Sequence, residues 1–77
     1  MQIIEFQLDL QHPYIELCNL LKLTGVASSG GQGKLMVANG DVTVDDNPET
    51  RKTAKIRAGQ VVECLGRRIS VMPAAVA

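Results

Sequence analysis

Ile4, Phe6, Leu8 and Leu10 alternate with Glu5, Gln7 and Asp9 between Met1 and Leu10, the two-residue period of a strand with one buried face. Gln11-His12-Pro13 interrupts it, and Pro13 suits the first position of a helix, where its missing N–H is not needed. The period then changes. Tyr14, Leu17, Cys18 and Leu21, widened by Leu20, mark one side of a helix from Tyr14 to Leu23, closed by Thr24-Gly25. Val26-Ala27-Ser28 is a short link, so a second helix must lie close to the first and cross it at an angle.

That second helix is expected over about Gly30 to Asn39. Ser29 and Gln32 have the spacing of a capping box, in which each side chain satisfies an orphan backbone donor. Leu35, Met36 and Ala38 supply an apolar side, and Gly40 can take the left-handed conformation of a C-cap without steric cost. Gly31 and Gly33 each cost about 1 kcal/mol relative to alanine inside a helix. Close packing against the first helix is the leading compensation, ahead of close approach by a ligand and a frayed first turn. Val42, Thr43 and Val44 alternate as a strand, with Asp46-Asn47 as a two-residue hairpin turn. Arg51, Lys52, Lys55 and Arg57 follow, then Ala58-Gly59-Gln60 as a turn, Val61 to Cys64 as a strand, a turn at Gly66, and a last strand alternating Ile69 and Val71 against Arg68 and Ser70. Helices in one block and antiparallel strands in another make an α+β domain. It is expected to occupy 1–72, with 73–77 as a flexible C-terminal tail.

A chain of 77 residues accommodates one small domain. With 45% hydrophobic and 21% charged residues, general disorder is excluded. Phe6 and Tyr14 are the only aromatic residues, so the core is aliphatic, and this scarcity weakens the case for a binder that stacks single-stranded bases on aromatic rings. The formal net charge of zero argues against bulk attraction to phosphate, but its distribution is uneven. Residues 1–20 carry Glu5, Asp9 and Glu16 with no cation, whereas Arg51 to Arg57 holds four cations in seven positions, just after Asp41, Asp45, Asp46 and Glu49. A basic face opposite an acidic one, or a salt-bridged solvated surface, would both produce this pattern. The N-terminal residues show no basic n-region or apolar h-region with a cleavage site, so no secretion signal is expected, and no apolar run reaches the roughly 20 residues of a membrane span. Cys18 and Cys64 are therefore read as reduced packing residues of a cytoplasmic, monomeric protein without a membrane partner.

Catalytic groups are scarce. His12, the sole histidine, is read as a capping or surface residue, and neither cysteine has an evident partner base. No pair of close cysteines or histidines sets up a zinc site, and no cofactor is expected. Gly31-Gln32-Gly33-Lys34 fails as a phosphate loop of the Walker type, because Ser28 and Leu35 stand where a glycine and a hydroxyl residue are required. A dinucleotide fingerprint fails for want of a third glycine and a β-α-β unit. What remains is anion binding without catalysis. Ser29, Gly30 and Gly31 would offer backbone N–H groups at a helix N-terminus. Lys34 lies at the same end, either as part of that site or as an ordinary solvated lysine. Arg51, Lys52 and Lys55 would extend the site if the hairpin folds back on the helix.

These segments, taken together, resemble the RNA-binding domain first recognised in small-subunit ribosomal protein four, also called the alpha-L motif, and in particular its small stand-alone bacterial members. The resemblance rests on Ile15 to Leu23, Ser29 to Lys34 (SGGQGK), Asn39 to Asp45 (NGDVTVD), Glu49 to Lys52 (ETRK) with Lys55-Ile56, and Gly59 to Val62 (GQVV). It implies two packed helices against a small, mostly antiparallel sheet, and binding to structured RNA, with the ribosome or another ribonucleoprotein as one setting. Carried over residue by residue, it places RNA contacts at Ser29, Gln32, Lys34, Arg51, Lys52 and Lys55, with Lys22 as a further candidate. Gly33 stands where the family usually has alanine, which is expected to loosen the helix, and Asp45-Asp46-Asn47-Pro48 replaces its usual Asn-Gly hairpin. The rival reading is a protein-interaction adaptor that recruits a partner through its acidic N-terminal half or an open sheet edge.

Overall fold

Alternation places Ile4, Phe6 and Leu8 toward the core, and the strand that results, β1, spans Gln2–Gln7 of the computed structural model, which describes residues 2–74. Met1 lies outside the described residues. The strand stops before Leu10, which is 73% exposed, because Asp9 starts a tight turn. Its carboxylate accepts the Gln11 N–H at 2.8 Å and its carbonyl accepts the His12 N–H at 3.3 Å.

The helix expected from Tyr14 to Leu23 is shorter than its apolar spacing suggested. Tyr14–Glu16 is a strand, β2, and helix α1 spans only Leu17–Leu23. Tertiary pairing overrides the helical period there. β2 lies antiparallel to β5, Lys55–Arg57, with Ile15 opposite the buried Ile56. The chain then enters α1 with its first donors already engaged: the Leu17 N–H donates to the Ala54 carbonyl at 2.9 Å and the Cys18 N–H to the Lys52 carbonyl at 3.1 Å. A short loop, 24–29, leads to helix α2, Gly30–Ala38. Gly40, at φ +82°, closes it with the paired bonds of a Schellman motif, Gly40 N–H to Val37 and Asp41 N–H to Met36, both at 3.1 Å.

The C-terminal half forms β3 (Val42–Val44), β4 (Asn47–Pro48), β6 (Val61–Cys64) and β7 (Arg67–Met72). The β3–β4 turn is Asp45-Asp46, at φ 50° and 69°, one residue earlier than expected. With β1 these strands make a five-stranded sheet of order β1-β7-β6-β3-β4, antiparallel except for the parallel β1–β7 pair. Leu17, Leu20 and Leu21 of α1, Val37 of α2, and Val42, Val62, Ile69 and Val71 of the sheet join in one aliphatic cluster. The architecture is α+β, two helices with a mixed, mostly antiparallel sheet and a separate β2–β5 ladder. Pro73 and Ala74 follow the last strand without regular structure, and the rest of the expected tail lies outside the described residues.

Candidate functional site

The N-terminus of α2 is built by Ser28, Ser29 and Gln32. Ser29, in extended conformation, accepts the Gln32 N–H on its hydroxyl at 3.1 Å. The Gln32 side-chain oxygen reaches back to the Ser28 N–H, not to that of Ser29, so the reciprocal cap is displaced by one residue. In each side chain the cap uses an acceptor oxygen, so the Gln32 side-chain N–H groups and the Ser29 O–H remain available. The amides of Gly30 and Gly31 also have no hydrogen-bond partner among the described residues. Those amides sit at the positive end of the helix dipole. Lys34 is exposed one turn along. Lys22, in the last turn of α1, runs its stem beside the same end, its Cδ 4.0 Å from where a Gly30 Cβ would stand.

Cys18 ties this end to the basic loop. Its N–H is held by the Lys52 carbonyl, while its own carbonyl oxygen lies 2.8 Å from where a Cβ on Gly33 would be. One residue of α1 therefore lies against α2 on its carbonyl side and bonds the segment that carries Arg51, Lys52 and Lys55 through its N–H. Close packing thus accounts for Gly33, since the absent side chain is what lets the helices approach. Gly31 is different, since a Cβ there would meet only the Ser29 hydroxyl at 3.8 Å.

The cations of the loop are not equivalent. Arg51 grips Glu49 through two guanidinium bonds, at 3.1 Å from Nε and 2.9 Å from Nη2, and donates its backbone N–H to the same carboxylate at 3.1 Å. This bonding from Arg51 holds the Glu49 carboxyl far below its usual range, at about 2. Arg51 is still 79% exposed along its side chain, so its remaining donors face solvent. Lys22, Lys34, Lys52, Lys55 and Arg57 have no carboxylate within ion-pair distance among the described residues. Arg68 pairs with Glu63 at 2.8 Å across β6 and β7, and Arg67 reaches the Gly25 carbonyl at 3.4 Å. Ion pairing thus neutralises Arg68 on the sheet and engages Arg51 in the loop, while Lys22, Lys34, Lys52, Lys55 and Arg57 stay unpaired on the helices, the loop and β5.

Ser29, Gln32 and Lys34 stand together on α2, Arg51 and Lys52 on the loop, and Lys55 on β5. Thr50 and Thr53, whose residue types carry no signal in the sequence, line an open hollow with Arg51, Lys52 and Lys55. Tyr14, in strand β2 and not in the expected helix, has its ring beside Lys55 and Arg57. His12 lies outside this face, exposed and 2.7 Å from the Asp9 carboxylate, whose pKa it lowers by hydrogen bonding. Among the described residues no three His, Cys, Asp or Glu side chains converge on a metal position, and no helix is long and apolar enough to cross a membrane. Both cysteines are buried and free, and burial pushes the Cys64 thiol up.

The model of the S4 domain family matches residues 8–72. YbcJ of Escherichia coli (strain K12), provisionally named an RNA-binding protein, is 50% identical over 62 residues, covering 80% of this chain and 89% of its own. RlbA of Bacillus subtilis (strain 168), provisionally named a ribosome maturation protein, is 40% identical over 52 residues, covering 68% and 73%. The solution structure of E. coli YbcJ, described as revealing an ALFAL motif involved in RNA binding, superposes with a TM-score of 0.71 at 46% identity, covering 94% of this chain and 90% of that one.

Proposed function

As the chain belongs to the S4 domain family of RNA-binding proteins, we propose that it is a non-catalytic module that grips the phosphate backbone of structured RNA through the N-terminus of α2 and the 51–55 loop. The observation that carries this reading is the position of Cys18, whose N–H donates to the Lys52 carbonyl and whose own carbonyl lies against Gly33, so that the 51–55 loop and α2 both adjoin the start of α1. Amides at a helix N-terminus and flexible lysines suit phosphate oxygens and carry no base information. With Phe6 half-buried and Tyr14 engaged by cations, no aromatic platform is offered to unstacked bases. Recognition of RNA by shape follows. The likeness to RlbA favours ribosomal RNA, or a precursor particle, as the setting.

Fluorescence anisotropy with a folded RNA hairpin and a single strand of matched length tests this. Salt-sensitive binding that favours the hairpin is expected, and Lys34→Ala/Lys52→Ala/Lys55→Ala should reduce the magnitude of the log–log salt slope by about 2 to 3. Unchanged affinity in the triple variant would remove this face from the account. Absence of binding even at low salt would return the protein to the adaptor reading.

A further inference from the structure

The β2–β5 ladder presents a charged corner that joins Tyr14 and Arg57 to the Lys55 of the 51–55 segment. In this ladder Ile15 and Ile56 turn toward the core, so Tyr14 and Glu16 emerge on the other face opposite Arg57 and Lys55. The Lys55 Nζ lies 5.0 Å from the centroid of the Tyr14 ring and the Arg57 Cζ 5.7 Å from it. Each cation alone is attracted to the ring quadrupole. Two on one ring also repel each other, and neither has a carboxylate within ion-pair distance, Glu16 included. Arg57 is nevertheless held there by its backbone: its N–H donates to the Gln60 side-chain oxygen at 2.7 Å and its carbonyl accepts the Gln60 N–H at 3.2 Å. Two unneutralised cations gathered at one ring, one of them on a backbone held by Gln60, offer an anion two donors at once.

We propose that Tyr14, Lys55 and Arg57 form a second phosphate-binding corner of the RNA face, in which Arg57 and Lys55 contact one phosphodiester group and Tyr14 positions both cations. This rests on the RNA-binding reading and extends it, with Lys55 shared between the corner and the 51–55 loop. The corner gives the protein a second grip on the RNA backbone, on a different element from the helix end, and so helps to orient the bound RNA.

The test is hairpin RNA binding across a salt series by the full chain and by Lys34→Ala, Arg57→Ala, Tyr14→Phe and Tyr14→Leu. Arg57→Ala is expected to weaken binding about three- to tenfold and to lower the salt slope by about 0.9, the loss of one phosphate contact. Tyr14→Phe keeps the ring and should bind within about twofold of the parent, whereas Tyr14→Leu should weaken binding with the slope retained, since charge is kept and only its placement is lost. Arg57 is exposed, so its substitution keeps the test decisive even where Tyr14→Leu unfolds the ladder. Normal binding by Arg57→Ala alongside weakened binding by Lys34→Ala would overturn the corner and leave the RNA-binding reading standing. Absence of salt-sensitive binding by the parent protein would overturn both.

Discussion

At the scale of single residues, Gly33 and Glu49 do more than their types announce. Gly33 reads from sequence as a weak point in a helix, yet a Cβ there would press on the Cys18 carbonyl at 2.8 Å. Gly33→Ala gains about 1 kcal/mol of helix propensity and meets an overpacking cost of about 1–3 kcal/mol. A net loss of stability is expected in urea denaturation, together with weaker RNA binding as α2 moves off its anchor. Glu49 reads as one more acid near the cations, whereas three bonds from Arg51 converge on it. Its carboxyl should titrate at about 2 in an NMR pH series, and Arg51→Ala should return it toward the ordinary 4.5. Because the folded value is depressed, the pair stabilises the fold fully above the ordinary range, and that contribution fades as the pH falls toward 2. Titration of Glu49 near 4.5 in the parent protein would show that the ion pair does not persist. The residue types involved were legible in the sequence, but the partner of each depends on the three-dimensional approach.

At the scale of elements, local chemistry predicted well where an element closes on itself. The cap at Ser29, the glycine stop at Gly40 and the Ile69/Val71 alternation all lie within short stretches and follow from propensity and spacing. The segment 14–16 did not, because its conformation is decided by Lys55–Arg57, some 40 residues away. Apolar spacing alone does not separate a short strand leading into a helix from the helix itself. Ser29→Ala removes the acceptor of the Gln32 N–H and should cost about 1 kcal/mol, read as a lower denaturation midpoint. The β6–β7 turn offers a change of opposite sign. Leu65 sits at φ 50° with its side chain exposed, a left-handed conformation that costs a branched residue about 1–2 kcal/mol. Leu65→Asn should therefore raise the midpoint, since asparagine enters that region more readily.

At the scale of the whole molecule, a net charge of zero conceals a division of labour. Cations on the sheet are paired or bonded to backbone, as at Arg68 and Arg67, while those around α2, the 51–55 loop and β5 are mostly left open. The sequence made the cation run visible but not which members are neutralised, since Glu49 and Glu63 choose their partners only in the fold. The parallel β1–β7 pair was equally hidden, because it joins the two ends of the described chain. The central claim is that one face, anchored at Cys18, binds structured RNA. Its most direct test is a titration of isotope-labelled protein with a folded RNA hairpin, following every backbone amide by NMR. Shifts concentrated at Gly30, Gly31 and Lys34 and at 51–55 are expected, with Glu63 and Arg68 on the sheet unmoved. Shifts centred on the sheet around Glu63 and Arg68, with the α2 N-terminus silent, would contradict it.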